Sequence, residues 1–171
     1  MSAEEIIDLI DEENRVIGQV SRKEMRAKNL LHRSTAILVW NSQGQLFVHK
    51  RTTSKDVYPG YFDVAAGGVV LAGETYEESA KRELVEELGI ENIELTKCFE
   101  FSYADEKTRV ISALFSCVYD GPMKFQIEEV ADGFFIDVKE LFALVDHEPF
   151  CPDGLLVLKR YLERGEMIHA V

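Results

Sequence analysis

The sequence predicts an α+β fold, in which a mixed β-sheet lies between helices as an αβα sandwich. Two observations support this prediction. Segments rich in β-branched and aromatic residues recur along most of the chain and end at turn residues, as strands do. One central segment and two C-terminal segments instead repeat their apolar residues at helical spacing. Strands with one central helix and a helical C-terminus are typical of this class.

The order of the predicted elements begins with a hairpin and a short helix. Residues 4–22 contain two apolar runs that turn at Glu13 and Asn14, and Ser21 is placed to cap a helix over residues 22–29. Further strands are predicted over residues 34–40, 45–51, 61–68, 93–105, 109–121 and 133–138. Further helices are predicted over residues 75–89, 138–145 and 152–165.

Length, charge and cysteine content limit the classes to which the chain can belong. At 171 residues it is expected to form one domain over 1–171, with the hairpin and short helix at about 1–30 and the core at about 31–171. A net charge of −12 argues against a nucleic-acid partner, which needs a basic surface. The apolar runs are too short to span a membrane. An acidic N-terminus and three cysteines without metal spacing predict a cytoplasmic protein with reduced thiols.

The helix predicted over residues 75–89 has one apolar face and one acidic face. The apolar residues are Ala80, Leu84 and Leu88. Glu83, Glu86 and Glu87 share another face at spacing i, i+3 and i+4, where like charges repel and weaken a helix. One interpretation is a solvated acidic face with an Arg82–Glu86 or a Glu78–Arg82 ion pair. The other is a divalent cation site, because hard cations such as Mg²⁺ prefer oxygen ligands.

Two glycines before this helix favour the cation site. Gly67 and Gly68 end a predicted strand, where a backbone without side chains can approach other groups closely and turn a carbonyl toward a metal ion. Glu74 lies between these glycines and the helix. It is expected to hold the connecting loop against the N-terminal half of the helix, where the helix dipole favours a negative charge.

The glycine, glutamate and arginine positions together resemble the Nudix box, G-x(5)-E-x(7)-R-E-U-x-E-E-x-G-U, in which U is apolar. The nine matching residues, within a span of 23, are Gly68, Glu74, Arg82, Glu83, Leu84, Glu86, Glu87, Gly89 and Ile90. Every constrained position of the motif is matched, so the pattern is specific. The resemblance implies a Nudix fold with a mixed β-sheet and a central loop–helix–loop metal site.

The resemblance also implies roles for individual residues. Glu83, Glu86 and Glu87 are expected to bind Mg²⁺, with Mn²⁺ as a possible substitute. The Gly67 carbonyl is a further candidate ligand, and Arg82 is expected to orient Glu83. On this interpretation the glutamates are clustered because a bound cation neutralises them.

The attacking water in such an enzyme needs a general base, and the sequence leaves its identity open. The resemblance implies either one of the box glutamates or a glutamate of a later loop. Residues 125–135 offer Glu128 and Glu129 just before a predicted strand, with Glu129 as the preferred catalytic candidate. The alternative is that this pair lies in a solvated loop.

Segments outside the box resemble the isopentenyl-diphosphate-isomerase-like branch of the superfamily. The similarity covers residues 13–41 and 46–63. An isomerase of this branch needs a catalytic cysteine, a partner glutamate and metal-binding histidines. The cysteine and two of the histidines are replaced by Gly67, Val69 and Met25, and only His32 matches a metal histidine. Alkene isomerisation therefore lacks its acid–base pair, and isomerase activity is not expected.

The same branch resemblance identifies Arg51 and Lys55 as candidate substrate-binding residues. A guanidinium and an ammonium group suit the charge and oxygen geometry of a diphosphate. Both residues are expected on a loop near the start of the metal-binding helix. The alternative is that they are solvated loop charges.

Together the resemblances imply a Mg²⁺-dependent hydrolase that cleaves a diphosphate linkage in a nucleoside diphosphate derivative or a related organic pyrophosphate. The group attached to the diphosphate and the number of metal ions stay open. Two alternatives are an isopentenyl diphosphate isomerase-like enzyme and a non-catalytic Nudix-fold regulator that binds a nucleotide. The expected partner is a small-molecule diphosphate, with no nucleic acid and no membrane. An exposed edge of the N-terminal hairpin would also permit a homodimer.

Overall fold

In the computed structural model, which describes residues 2–165, eight strands form a mixed β-sheet with four helices around it. The strands are β1 (Ile6–Ile10), β2 (Val16–Ser21), β3 (His32–Trp40), β4 (Leu46–Arg51), β5 (Phe62–Asp63), β6 (Thr96–Ala104), β7 (Arg109–Val118) and β8 (Val130–Ile136). The helices are α1 (Arg22–Ala27), α2 (Tyr76–Leu88), α3 (Val138–Val145) and α4 (Pro152–Glu163). The predicted α+β class is confirmed. Met1 and residues 166–171, which the predicted domain includes, lie outside the described residues.

β3 is the strand around which the sheet is organised. It runs parallel to β7 along its whole length, from His32 opposite Val110 to Trp40 opposite Val118. β1 and β4 pair antiparallel with the two ends of β3. β2 and β6 extend the sheet beyond β1 and β7, and β5 and β8 both pair with β4. The combination of parallel and antiparallel pairs makes the sheet mixed.

The two faces of β3 pack against different helices, and this produces the αβα layers. Successive side chains of a strand point to opposite faces of the sheet. Leu38 lies in one apolar cluster with Leu158 of α4. Its neighbour Ile37 lies in a second cluster with Leu84 and Leu88 of α2. The predicted apolar stripe of the acidic helix is therefore the surface that attaches it to the sheet.

The ends of α2 are fixed by a capping box at its N-terminus and by Gly89 at its C-terminus, where the predicted helix ends. The Thr75 side chain accepts a hydrogen bond from the Glu78 N–H, and the Glu78 side chain accepts one from the Thr75 N–H. Gly89 ends the helix in the left-handed conformation, with φ of 66°. These caps set where α2 begins and ends.

Two segments show where the predicted elements were right and wrong. The N-terminal hairpin is confirmed, and Asn14 turns it with φ of 62°. The strand predicted over residues 61–68 is wrong in length, because regular pairing ends after Asp63. Beyond it the chain makes only isolated bridges to β3, and Gly67 leaves the extended conformation with φ of 135°. Within residues 2–165, no helix has the length and apolar character needed to cross a membrane.

Candidate active site

The loop before α2 passes so close to its neighbours that two positions exclude a side chain. A Cβ atom on Gly67 would overlap the backbone carbonyl of Thr35 in β3. A Cβ atom on Gly68 would lie 2.6 Å from Oε1 of Glu83. The Gly67 N–H donates a hydrogen bond to Oε2 of Glu87 at 3.2 Å. The glycine pair therefore brings the backbone into direct contact with both buried glutamates of α2.

The three glutamates of α2 differ in their exposure to solvent. Glu83 is 0% exposed and Glu87 is 2% exposed, whereas the Glu86 side chain is 42% exposed. Burial raises the pKa of Glu83 and of Glu87, and the neighbouring charge of Glu83 raises the pKa of Glu87 further. The Oε2 atom of Glu83 is buried without a hydrogen-bond partner. A solvated acidic face, the first interpretation of the sequence, does not describe Glu83 and Glu87.

Arg82 ties the loop and the glutamates together. Its Nε and Nη2 atoms lie 2.7 and 3.0 Å from the two carboxylate oxygens of Glu74, in a bidentate pair. Its Nη1 atom lies 2.8 Å from Oε1 of Glu83 and 3.2 Å from Oε2 of Glu86. Its Nη2 atom also donates to the Val69 carbonyl at 3.2 Å. The contacts expected of Arg82 with Glu83, and of Glu74 with the helix, are both present.

The donor set fits a hard divalent cation, with one rearrangement. Glu83 and Glu87 are buried carboxylates close to each other. The buried Oε2 atom of Glu83 has no hydrogen-bond partner, so this oxygen is available to coordinate a cation. Among residues 2–165, no three acidic, imidazole or thiol side chains already form a metal-binding group. Glu86 is instead held by Arg82. Its exposed side chain has to turn away from that contact to join the other two.

Glu129 and Lys55 form a buried ion pair next to these glutamates. Lys55 Nζ lies 2.7 Å from Glu129 Oε2, and the two side chains are 8% and 7% exposed. The charge of Glu129 contributes to the raised pKa of Glu83 and of Glu87, so it lies beside the site. Glu128 is exposed and contributes its backbone carbonyl to Thr52. Of the two later-loop candidates, Glu129 is the one directed into the protein.

Arg51 is the last residue of β4 and is largely buried. Its Nε and Nη2 atoms donate to the Val57 carbonyl at 3.1 and 2.9 Å, and its Nη1 atom is 3.9 Å from Oδ2 of Asp63. Neither Arg51 nor Lys55 is a solvated loop charge. The charges of both act on Glu87, which lies near the C-terminal end of α2. The expectation placed both residues on a loop near the start of that helix, whereas Arg51 ends β4 and the charges of both residues act on Glu87.

A cavity adjoins the glycine pair, and its basic lining includes two residues that sequence reasoning missed. Arg51 and Lys55 line it together with Arg22 and Arg26 of α1. Both arginines contact Asp56, with N–O distances of 2.9 and 3.2 Å. Their i, i+4 spacing places them on one helix face, which is the signal that was available in the sequence. Asp63 and Asp153 also line the cavity and were missed too.

His32 and Met25 have the environments of packed interior residues. His32 is 1% exposed and its Nδ1 lies 2.8 Å from the Leu30 carbonyl oxygen. Burial lowers the pKa of His32 to about 4, so the imidazole is neutral near pH 7. Met25 is fully buried in a small cluster with Ile7 and Val69. At the isomerase positions the protein therefore presents apolar packing and a single histidine that lines the cavity.

Comparison with known proteins agrees with this geometry. A NUDIX domain profile matches residues 30–156. The uncharacterized Nudix hydrolase PA4841 of Pseudomonas aeruginosa is 44% identical over 159 residues, which covers 93% of this chain and 94% of that protein. The uncharacterized Nudix hydrolase YfcD of Escherichia coli is 42% identical over 171 residues, which covers 100% of this chain and 94% of that protein.

A solved structure supports the same assignment. The crystal structure of DR0079 from Deinococcus radiodurans superposes with a TM-score of 0.81 at 29% identity, covering 91% of this chain and 98% of that one. The profile spans most of the chain, and it contains the glycine pair, the acidic helix and the basic residues of β4 and its loop. The chain therefore belongs to the Nudix hydrolase family and is a pyrophosphohydrolase.

Proposed function

We propose that the protein is a Mg²⁺-dependent hydrolase that cleaves the diphosphate linkage of a nucleoside diphosphate derivative or a related organic pyrophosphate. Nudix hydrolases generally need divalent metal ions. The observation that carries the proposal is the buried pair Glu83 and Glu87, with one unpartnered oxygen, directly beside a cavity lined by basic residues. Buried carboxylates are stabilised by a cation, because a buried charge without a partner is costly. A cavity lined by basic residues attracts an anionic substrate.

Glu83, Glu86, Glu87 and the Gly67 carbonyl would hold the metal ion. A bound Mg²⁺ would offset the negative charge of the phosphate oxygens and lower the pKa of a water molecule. Mn²⁺ is the proposed substitute. Arg82 keeps Glu83 in place through its contact at 2.8 Å. The bidentate pair of Arg82 with Glu74 fixes the guanidinium itself, so the carboxylate of Glu83 is positioned through the loop as well as through the helix.

The reaction needs a base for the attacking water. A glutamate takes one proton from the water, the water oxygen bonds to phosphorus, and the bond from that phosphorus to the bridging oxygen breaks. Glu129 is one candidate, because Lys55 holds its carboxylate ionised beside the site and lowers its pKa in opposition to burial. The box glutamates are the other candidates.

Arg51 and Lys55 are the proposed contacts to the diphosphate. Both line the cavity, and the Arg51 guanidinium is held in a fixed orientation by the Val57 carbonyl. A rigid, largely buried guanidinium loses little conformational entropy when it binds phosphate oxygens. Lys55 contributes positive charge while paired with Glu129. Because Lys55 is paired with Glu129, Arg51 is the stronger substrate ligand of the two.

The protein is also proposed to belong to the isopentenyl-diphosphate-isomerase-like branch, without isomerase activity. The similarity of residues 13–41 and 46–63 supports the branch. Gly67 stands at the cysteine position, and its contact with Thr35 leaves no room for a side chain. The interior packing of Met25 supports the loss of the metal histidines. These features leave the site without the protonating group that isomerisation needs.

The experiment that tests the function is a screen of diphosphate compounds for phosphate, pyrophosphate or nucleotide release with Mg²⁺. The expected result is hydrolysis of at least one substrate by the wild-type protein and loss of that activity in Glu87→Gln. Tight nucleotide binding without hydrolysis across the screen would instead support the non-catalytic regulator.

Four properties of the whole protein accompany this proposal: its domain organisation, its location, its partners and its oligomeric state. The chain is proposed to act as a single domain in the cytoplasm, on a small molecule, without a nucleic-acid or membrane partner. A homodimer through the edge strand β2 is also proposed, since Val16 and Ile17 are 51% and 67% exposed there. Light scattering of the purified protein, compared with a Val16→Lys/Ile17→Lys variant, tests the dimer directly.

A further inference from the structure

The cavity beside the glycine pair contains hydrogen-bond acceptors in addition to its basic residues. The acceptors are the side chains of His32 from β3, Asp63 from β5 and Asp153 from α4. The proposed reaction gives the basic residues the task of binding the diphosphate. It gives these three acceptors no task, although they line the same space.

His32 presents a lone pair to the cavity. Its Nδ1 atom carries the hydrogen, because it lies 2.8 Å from the Leu30 carbonyl, which can only accept. The imidazole is neutral near pH 7, since burial lowers the pKa of His32 to about 4. Nε2 is therefore an acceptor, and this atom is buried without a hydrogen-bond partner in a residue that is 1% exposed.

Asp153 and Asp63 provide the remaining acceptors. The Oδ1 atom of Asp153 is buried without a partner, although the Gly154 N–H donates to this carboxylate. Asp63 accepts from the Ala65 N–H at 3.2 Å and lies 3.9 Å from Arg51. A Cβ atom at position 154 would overlap Oδ1 of Asp63, so the backbone of α4 passes close to this carboxylate. The two carboxylates are thus held close together at the cavity.

Unpartnered buried acceptors impose a requirement on the ligand. A donor group that enters the cavity and reaches these atoms removes the cost of leaving them unpaired, whereas a hydrocarbon chain excludes water and keeps that cost. Burial and the charge of Asp153 raise the pKa of Asp63, which favours its protonated form. Hydroxyl groups can both donate and accept, and they satisfy the pair in either state.

We propose that His32, Asp63 and Asp153 are specificity-determining residues that select a hydroxyl- or amino-bearing group on the diphosphate, such as a sugar or a nucleoside, and discriminate against a prenyl chain. This inference rests on the proposed function, because it names the group attached to the bond that the site cleaves. It separates this protein from prenyl diphosphate chemistry by binding as well as by the absence of an isomerase cysteine.

The first test compares two sets of substrates in the presence of Mg²⁺. The polar set contains nucleoside diphosphate sugars, dinucleotides and nucleoside triphosphates, and the apolar set contains geranyl diphosphate and dipentyl diphosphate. The best polar substrate is expected to exceed the best apolar one in kcat/KM by roughly tenfold to a hundredfold, the range that one or two unsatisfied buried polar groups produce. A preference for the apolar set contradicts the inference and leaves the proposed function standing. Absence of hydrolysis in both sets contradicts the proposed function and removes the basis of the inference.

The second test assigns the preference to the acceptors. Asp153→Leu is expected to raise KM for the best polar substrate roughly tenfold while kcat/KM for the apolar set stays the same or rises. Asp153→Asn keeps an acceptor oxygen, so KM for the best polar substrate should rise less in this variant than in Asp153→Leu. Asp146→Asn, at an exposed position outside the cavity, is the matched control. If kcat/KM falls equally for the polar and the apolar substrates in a folded Asp153→Leu protein, Asp153 does not determine the preference. If that variant does not fold, His32→Phe, which removes the Nε2 acceptor, is judged by the same selectivity ratio.

Discussion

Two pairs of acidic residues, one buried and one half-buried, lie at this site, and they are assembled in different ways. Glu83 and Glu87 stand one turn apart on α2, so a single helix fixes their separation. Asp63 and Asp153 come from β5 and α4, which are distant in the chain and meet only when α4 packs on the sheet. The first pair is a local motif and the second is a product of tertiary packing. The first is proposed to serve the chemical step, and the second to serve the choice of substrate.

The largest expected effect separates these two roles. Glu87→Gln should lower kcat by about 10²- to 10³-fold with little change in KM, because its charge acts on the transition state. Asp153→Asn should change KM more than kcat. Glu77→Gln is the control for α2, since Glu77 is an exposed residue of the same helix, paired only with Lys81 among the contacts described. A Glu87→Gln enzyme with kcat within about twofold of wild type would remove the distinction.

A second prediction concerns the loop that positions the first pair. Gly67→Cys would restore the residue that an isomerase needs, but it places a side chain at φ of 135° against the Thr35 carbonyl. The variant is expected to lose about 3 kcal/mol or more of unfolding free energy and to gain no isomerase activity. Urea unfolding and an isopentenyl diphosphate assay measure both quantities. A stable variant that isomerises its substrate contradicts this account of the loop.

The third prediction concerns the two cations between the pairs. Lys55→Ala removes the ammonium group 2.7 Å from the buried carboxylate of Glu129 and should destabilise the protein by about 3 kcal/mol. Lys55→Met combined with Glu129→Gln should recover most of the stability lost in Lys55→Ala.

Arg51→Ala should mainly raise KM, because a ground-state contact to the phosphates is lost. If Arg51→Ala leaves both KM and kcat within about twofold of wild type, Arg51 does not bind the diphosphate.

The contrast between the pairs also explains what the sequence could predict. The Nudix box resides in one continuous segment, so Arg82, Glu83 and the glycines before α2 could be located from the resemblance to that motif, and Gly89 could be expected to end the helix. The αβα layers followed from the order of strand-like and helical segments and from the apolar stripe on α2. These features depend on local geometry, which the sequence expresses directly.

Other parts of the site depend on contacts between distant segments. The pairing of Lys55 with Glu129 requires the loop after β4 to meet the loop before β8. Asp63 and Asp153 require the contact of α4 with β5. No spacing in the sequence indicates such contacts, and for this reason the sequence alone links Lys55 to the substrate and not to Glu129. Arg22 and Arg26 are an intermediate case, because their helical spacing was visible but the cavity beside them was not.

The smallest expected effect is a dependence of stability on pH in the metal-free protein. Burial raises the pKa of Glu83 to about 7 and of Glu87 to about 8, so the folded state binds more protons than the unfolded state above about pH 5. Unfolding free energy should therefore fall as pH rises from about 5 to about 8, by on the order of 1 kcal/mol or more. Glu87→Gln should flatten this dependence. Stability that rises with pH over the same range, in chelator-treated protein, contradicts the protonated state of the pair.

The central claim, that the glutamates of α2 bind a divalent cation, is tested most directly by thermal melting with and without millimolar Mg²⁺ at pH 8. Binding to the folded state alone raises Tm, and the shift depends on the Mg²⁺ concentration relative to Kd. The account predicts a clear rise in Tm for the wild-type protein and for Glu77→Gln, and no rise for Glu86→Gln/Glu87→Gln. An equal rise in Tm for the double variant would show that Mg²⁺ binds elsewhere and would contradict the account.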